Sequence, residues 1–310
     1  MLKILLLAGA LAAAPVMPEI FEPGLVSTGQ DESHIVFTPD GQTLYFLRNT
    51  PDFGHWTVLV STRLGDSWSP PEIAPFSDVG ANADVFVTRD GRFLFFISTR
   101  SVDGQPKSDT DIWMMKRRNG AWSTPRHVPE LSSDGNEWFP TMTTDGWIYF
   151  GSERSGGYGQ SDLWRARWLG DRFSEPENLG PAVNTPQQEI EPLVSDDGRS
   201  IIFAGRRASG PGSYDLFVTY SCGGAWTEPR PLPVNSQAWE FAPRLSPDGR
   251  TFYFTSNRRR PAPERIADTE ALSAYLNAPG NGLRDIYMVP ASALQLTTSC
   301  DQLVDEQRPR

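Results

Sequence analysis

Three groups of charged residues recur along the 310-residue chain at intervals of roughly 50 residues. The acidic group consists of Glu32, Glu137, Glu189 and Glu240, with Asn82 at the equivalent place in the second repeat. The other two groups are Arg100, Arg154, Arg207 and Arg258, and Asp111, Asp162, Asp215 and Asp285. Paired carboxylates can act as the acid and the base or nucleophile of glycoside hydrolysis. Arginine and carboxylate side chains can equally form ion pairs that hold loops in place.

The first repeat favours the structural role. It has Thr50 at the arginine position and Gly54 at the aspartate position, so both charges are lost together. This joint loss predicts that each arginine pairs with the aspartate of its own repeat. The predicted pairs are Arg100–Asp111, Arg154–Asp162, Arg207–Asp215 and Arg258–Asp285. A chemical site rarely has equivalent copies in every repeat, because an acid and a base need different surroundings.

A ligand site should break the repeat, and one column does so. Two residues after the acidic group stand His34, Asp84, Phe139, Glu191 and Ala242. The first repeat also carries His55 and an extra Arg48. The candidate ligand-binding residues are therefore His34, Arg48, His55, Asp84 and Glu191. Solvated histidines at loop edges are the alternative, and without a metal-ligand spacing such as His-x-x-x-His we predict no metal site.

The elements that position these residues follow from a repeated turn. Asp-Gly occurs at Asp40, Asp90, Asp145, Asp197 and Asp248, each time between two alternating apolar segments, as in a β-hairpin. Two further segments follow in each repeat, and four strands make one propeller blade. The fifth repeat lacks its fourth strand, but the segment from Pro18 resembles the missing piece. We therefore predict an all-β, five-bladed β-propeller, closed by the N-terminal strand completing the last blade.

Blade geometry assigns the charged columns to one end of the molecule. The inner strand starts, the second strand ends and the third strand starts at the same end, here called the top face. The Asp-Gly turns lie at the opposite, bottom face.

The segments SPDGRTFYFTSNR (residues 246–258) and SERSGGYGQSDLW (residues 152–164) resemble the WD40-like repeat of TolB-type β-propellers. The resemblance covers nearly the whole chain after its first residues. It implies a propeller fold in an exported bacterial protein. Members of that family often bind partners or ligands, and many have no known activity.

The chain divides into four parts. Residues 1–14 read as a signal peptide, with Lys3 before a short apolar run, which predicts a periplasmic or secreted protein. Residues 15–296 form the predicted propeller, and residues 297–310 a tail. An insertion at 259–283, with a helix from Asp268 to Leu276, is either a lid or partner contact, or has no function. No stretch is long and apolar enough to span a membrane.

Cys222 and Cys300 are the two cysteines of the chain. Cys222 falls in a hairpin at the bottom face of the fourth blade. Cys300 follows the third strand of the fifth blade, which ends at the same face, so we predict a disulfide between them. Two unrelated, reduced thiols are the alternative.

Composition and motifs narrow the function. A net charge of −10 argues against nucleic acid as a partner. The sequence lacks nucleophile-elbow, P-loop and dinucleotide motifs, so we predict no cofactor. The leading hypothesis is a non-enzymatic scaffold that binds a protein or cell-envelope ligand on its top face. The alternative is a secreted glycan-active hydrolase whose acids come from Glu32, Asp84, Glu137, Glu189, Glu191 and Glu240. The enzyme hypothesis fails if arginines bind every axial carboxylate.

Overall fold

The strands form five antiparallel sheets, as a computed structural model describes them for residues 17–297 and Cys300. The predicted signal peptide lies outside the described residues. The first strand along the chain, β1 (Glu19–Ile20), belongs to the last sheet. Blade 1 contains β2 (Asp31–Phe37), β3 (Thr43–Asn49), β4 (Trp56–Leu64), β5 (Ser67–Trp68) and β6 (Glu72–Ile73). Blade 2 contains β7 (Asn82–Val87), β8 (Phe93–Ser98), β9 (Asp111–Arg118), β10 (Ala121–Trp122) and β11 (Arg126–His127).

The remaining blades repeat this order. Blade 3 contains β12 (Glu137–Met142), β13 (Trp147–Ser152), β14 (Asp162–Arg167) and β15 (Glu177–Asn178). Blade 4 contains β16 (Glu189–Val194), β17 (Ser200–Gly205), β18 (Asp215–Cys222), β19 (Ala225–Trp226) and β20 (Arg230–Pro231). Blade 5 contains β21 (Glu240–Leu245), β22 (Thr251–Ser256), β23 (Asp285–Pro290) and β1.

The ring closes through its N-terminal strand, as predicted. Glu19 pairs with Met288 and Ile20 with Tyr287, and the Phe21 N–H donates to the Ile286 carbonyl at 2.8 Å. The inner strands β2, β7, β12, β16 and β21 neighbour one another around the axis, with β21 beside β2. The five-bladed propeller fold is confirmed. Because β1 covers the outer edge of β23, the third strand of blade 5, that edge is protected from pairing with other chains.

The Asp-Gly turns share one hydrogen bond in every blade, although the turn of blade 3 is one residue shorter. In blade 1 the Thr38 hydroxyl donates to Asp40 at 2.6 Å, and Gly41 adopts a φ of 67°. The same hydroxyl-to-aspartate bond recurs in the other four blades, at 2.5–2.7 Å. The glycine supplies the left-handed conformation that the tight turn requires.

The core lies between the blades. The second strand of every blade contributes a fully buried phenylalanine at the equivalent position: Phe46, Phe96, Phe150, Phe203 and Phe254. These rings pack with alternating apolar residues from the inner and third strands of the same and adjacent blades. Packing of this repeated apolar face supplies the main stabilisation of a propeller.

Two short helices and a disulfide lie outside the blades. Helix α1 (Thr269–Leu276) begins after the N-cap Asp268, whose side chain accepts the Ala271 N–H, and it buries none of its residues. A short 3₁₀ helix (Ala291–Leu294) follows β23. Cys222 and Cys300 form a disulfide with a Cα–Cα distance of 5.7 Å. Within the described residues, no helix is both long and apolar enough to cross a bilayer.

Candidate functional site

Each inner strand contains a bulge at the column that differs from blade to blade. The strand register shifts there in all five blades, for example between Ser33 and Val36. The bulged residues have φ values of 50–59°, although none is glycine: His34, Asp84, Phe139, Glu191 and Ala242. A non-glycine residue with a left-handed backbone is uncommon, so five at equivalent positions of the inner strands indicate that the bulge is a regular part of this fold. The bulges turn these residues toward the axis.

Three of the five side chains meet at the axis, and we call them the axial triad: His34, Asp84 and Glu191. The His34 Nε2 atom lies 3.3 Å from Asp84 Oδ1 and 3.0 Å from Glu191 Oε1. Its Nδ1 atom lies 2.7 Å from the Ser33 hydroxyl. All three triad side chains are buried. The sequence predicted each of them as a ligand-binding candidate.

The remaining oxygens of the triad bind backbone amides of the next blade. Asp84 Oδ2 accepts the Phe139 N–H at 3.0 Å, and Glu191 Oε2 accepts the Ala242 N–H at 2.5 Å. Three of the four carboxylate oxygens therefore have a hydrogen-bond partner, and the fourth, Asp84 Oδ1, has only the charge contact with His34. The triad joins neighbouring blades across the axis.

Burial and charge act against each other in the triad. Burial lowers the pKa of His34, but attraction to Asp84 and Glu191 outweighs it and raises the pKa of His34 above its ordinary value. Burial raises the pKa of Asp84 to about 6, although the positive charge of His34 opposes the shift. Asp84 therefore exchanges its proton near pH 6.

Arg244 lies beneath the triad and was not recognised in the sequence. Its guanidinium carbon stands 3.7 Å from the centre of the Phe139 ring, and Nη2 donates to the Val85 carbonyl at 3.1 Å. Burial lowers the pKa of Arg244 to about 9, while Asp84 and Glu191 oppose that shift. The signal that could have found it is its place two residues after Ala242, where the other blades carry uncharged residues.

A cavity of about 260 Å³ opens above the triad at the top face, and we call it the top-face cavity. Its walls include six aromatic residues: Phe53, Trp56, Trp138, Tyr214, Trp239 and Phe241. His34, Asp84 and Glu191 line its inner part, and Glu153 and Gln188 also border it. These aromatic walls were not predicted, because the six residues do not share one repeated position in the sequence. A concave apolar cavity with a few convergent polar groups is the usual form of a ligand site.

Two predicted ligand residues lie elsewhere. Arg48 forms an ion pair with Glu32 at 3.0 Å. His55 is exposed, and its Nε2 atom lies 3.1 Å from the Thr57 hydroxyl. Neither residue lines the top-face cavity.

The acidic group at the start of the inner strands has a structural role. Glu137 accepts the Ser133 N–H at 3.0 Å and the Ser133 hydroxyl at 2.6 Å, and lies 3.3 Å from Arg154. The same contacts to a residue four positions earlier and to an arginine occur at Glu32, Glu189 and Glu240. These four carboxylates thus leave the pool of candidate acids. Asp84 and Glu191 remain, bound to a histidine rather than an arginine.

These contacts correct the predicted arginine–aspartate pairs. Arg154, Arg207 and Arg258 pair with Glu137, Glu189 and Glu240. Arg100 instead donates to the Asn82 side-chain oxygen at 2.9 Å. The reason is that each arginine folds back over the end of its own strand: Arg154 Nε donates to Ser152, which stands opposite Glu137 in the hairpin. Blade 1 keeps this ion pair, because Arg48 supplies it from a different position.

The aspartate group binds the loops that precede it. Asp162 accepts the N–H groups of Tyr158 and Gly159. Asp215 and Asp285 accept the N–H groups of Gly212 and Gly280. In blade 2, Asp111 lies 2.9 Å from Lys107 and 3.1 Å from His127. Over the described residues, no group of three or more His, Cys, Asp or Glu has the arrangement of a metal site.

No family model and no curated protein matches the chain. It is similar to a solved structure from Agrobacterium tumefaciens described as a TolB, with 14% identity, a TM-score of 0.49, and coverage of 84% of this chain and 90% of that one. It is similar to an α-L-arabinofuranosidase from Lactobacillus brevis, with 12% identity, a TM-score of 0.48 and coverage of 90% and 94%. It is also similar to a puromycin-hydrolyzing peptidase from Mycobacterium tuberculosis, with 12% identity, a TM-score of 0.42 and coverage of 80% and 47%, about half of that chain. Similarities this distant carry no functional argument, and the fold assignment rests on the strand pairing above.

Proposed function

We propose that this protein is a non-enzymatic, exported β-propeller of the WD40-like, TolB-type family, and that its top-face cavity receives part of a protein or cell-envelope ligand. One observation carries the proposal. The cavity has aromatic walls, while the two carboxylates of the triad at its inner end already bind His34 and two backbone amides. Such a site has apolar surface to bury, and its inner carboxylates are held by contacts within the protein.

The walls supply the expected binding energy. Apolar surface contributes about 25 cal/mol for each Å² removed from water, and aromatic side chains are frequent binding hot spots. Trp239 remains 38% exposed at the cavity, so its burial by a ligand would be favourable. The triad holds neighbouring blades together around this opening, which keeps the walls in a fixed arrangement.

The direct test is recovery of a bound species from envelope extracts on immobilised protein. We expect the wild type to retain a species that Trp239→Ala loses. Leu64→Ala is the matched control, because Leu64 is exposed but lies at the end of β4, at the bottom face. Binding by purified ligand should also change tryptophan emission, since three tryptophans line the cavity. Equal retention by wild type and Trp239→Ala would contradict the proposal.

A glycan-active hydrolase is the second candidate. The observation in its favour is a buried carboxyl, Asp84, whose pKa is raised to about 6, close to Glu191 at an open cavity. A general acid needs a pKa near the working pH. The test is hydrolysis of a panel of nitrophenyl glycosides. Turnover that falls by roughly a hundredfold or more in both Asp84→Asn and Glu191→Gln would replace the scaffold proposal with this one.

A further inference from the structure

We propose that the top-face cavity selects an organic cation, an ammonium or guanidinium group carried on an apolar body. This inference rests on the proposed function, because it names the chemistry of the ligand for the same cavity. It is carried by the charges and ring faces that line the cavity.

The charges at the cavity are unbalanced toward the negative. Three carboxylates line it, from Asp84, Glu153 and Glu191, together with His34. Among the described residues, no lysine or arginine lines it. Arg244 lies below the triad and, with His34, can balance Asp84 and Glu191. The charge of Glu153 at the exposed mouth is then left over among the lining residues, because the nearby Arg206 stacks on Tyr214 and forms no ion pair with Glu153 among the described residues.

Glu153 has no cationic partner within the described part of the chain. Its Oε2 atom accepts from the Asn136 side chain at 2.7 Å and from the Asn136 N–H at 3.3 Å. Both donors are neutral, so neither of them is a cation that pairs with the carboxylate. The neighbouring Arg154 is directed away, to Glu137. A cation entering the mouth would meet this carboxylate first.

The faces of the aromatic rings in the cavity walls also favour a positively charged ligand. A cation is attracted to the face of an aromatic ring, most strongly to tryptophan. Trp56 and Trp138 form one pair with centroids 6.1 Å apart, and Tyr214 and Trp239 form another at 6.1 Å. Two wall rings already contact arginines: Tyr214 lies 4.5 Å from Arg206, and Phe53 lies 3.2 Å from Arg284.

The other wall rings have no cation within the described residues at cation–π distance. These are Trp56, Trp138, Trp239 and Phe241. Three of the four are tryptophans, the best ring for this contact. A neutral apolar ligand would bury the same surface but would gain no charge attraction from the ring faces or from Glu153. A negative ligand would be repelled by both.

The test compares two probes of the same shape and different charge. Choline and 3,3-dimethylbutan-1-ol differ in charge but have nearly the same shape, and their binding is followed by tryptophan emission and calorimetry on the full chain. We expect choline to bind about tenfold more tightly, and added salt to weaken only choline. Glu153→Gln should weaken choline severalfold and leave the alcohol unchanged. Glu72→Gln is the control, because Glu72 is exposed and lies in the outer strand of blade 1.

A second arm separates small quaternary ammonium ligands from protein side chains. N-acetyl-lysine methylamide and N-acetyl-arginine methylamide represent the protein source of the cation. Tighter binding of either one than of choline would assign the cation to a protein partner.

The outcomes separate the two proposals. Equal binding of choline and the alcohol overturns the cation inference and leaves the cavity as an apolar ligand site. No detectable binding of any probe overturns the cation inference, while the envelope-extract experiment decides the proposed function independently. Loss of both probes in Trp239→Ala, with preference for choline in the wild type, supports both.

Discussion

At the residue scale, the bulge residues of the inner strands have a strained backbone and form contacts between blades. His34, Asp84, Phe139, Glu191 and Ala242 all have left-handed backbones. This conformation directs amide groups toward the axis, where Asp84 and Glu191 accept two of them from adjacent blades. The left-handed backbone at these positions costs free energy, and the hydrogen bonds across the axis offset that cost.

Ala242 allows the strain to be measured. Changing Ala242→Gly relieves about 1–2 kcal/mol of left-handed strain, which offsets the lost methyl burial and the added flexibility of the unfolded chain. We expect stability within about 1 kcal/mol of the wild type. The control Ala204→Gly, at an equally buried alanine within strand β17, should cost about 2 kcal/mol. Urea unfolding measures both, and equal losses would rule out strain at Ala242.

The partner of Arg154 can be tested by double-mutant cycles. Arg154→Met should lower stability by about 3 kcal/mol, because it leaves the buried Glu137 without its cation. Its coupling with Glu137→Gln should exceed about 1 kcal/mol, and its coupling with Asp162→Asn should stay below about 0.5 kcal/mol. The reverse order of couplings would restore the arginine–aspartate pairing.

The control for that cycle is Arg199→Met. Arg199 is 82% exposed and lies 3.9 Å from an exposed aspartate, Asp197. Such a surface pair is expected to contribute at most about 0.5 kcal/mol.

At the scale of elements, β1 is short but closes the ring. Its two residues pair with β23, and the following residues Phe21 and Val26 are buried. Without this segment, β23 would be an open strand edge. Open edges pair readily with other chains.

Deletion of residues 18–27 should therefore cause aggregation, measured by light scattering and size-exclusion chromatography. A synthetic peptide of residues 17–28 should restore a monomer, because it can add the missing strand from outside. A peptide carrying Ile20→Pro and Phe21→Pro should not, since proline removes the amide that pairs with Ile286. A deleted chain that stays monomeric without peptide would show that β1 is not needed for closure.

The disulfide joins the hairpin of blade 4 to the segment after blade 5. The bond closes a loop across 78 residues, which the chain-entropy model values at roughly 4 kcal/mol as an upper figure. We expect Cys222→Ser, Cys300→Ser and reduction of the wild type to lower the urea midpoint equally. Thiol titration of the denatured, unreduced wild type should find no free thiol. Two free thiols, or an unchanged midpoint after reduction, would contradict a stabilising bond.

At the scale of the whole molecule, several buried carboxyls favour their protonated form. Burial raises the pKa of Asp285 to about 7. It raises the pKa of Asp84 and of Asp215 to about 6. The Asp285 Oδ1 atom has no hydrogen-bond partner among the described residues, which fits a carboxyl that keeps its proton. The folded protein therefore holds protons that the unfolded chain releases near pH 4.

Stability should fall as pH rises. Because the folded-state pKa values lie above the unfolded ones, the stabilisation is complete below about pH 4 for these groups and is lost as pH rises through about 6–7. We expect Asp285 alone to lower the unfolding free energy by about 2 kcal/mol between pH 5.5 and pH 8. Asp285→Asn should flatten this profile, while Asp66→Asn, at an exposed residue, should not. A profile that rises toward pH 8 would contradict the assignment of raised pKa values.

The blade number and the closing strand could be predicted from residue spacing alone. The Asp-Gly turns, the buried phenylalanines and the strand alternation are local patterns that repeat five times, so their spacing is enough to define the fold. The sequence also showed that His34, Asp84 and Glu191 stand in a column whose residue type differs from repeat to repeat. That these three side chains meet depends on the closed ring, because His34 and Glu191 are 157 residues apart along the chain. Arginine partners, the place of Arg244 and the aromatic walls likewise depended on how strand ends and neighbouring blades converge in space, and residue spacing does not specify that geometry.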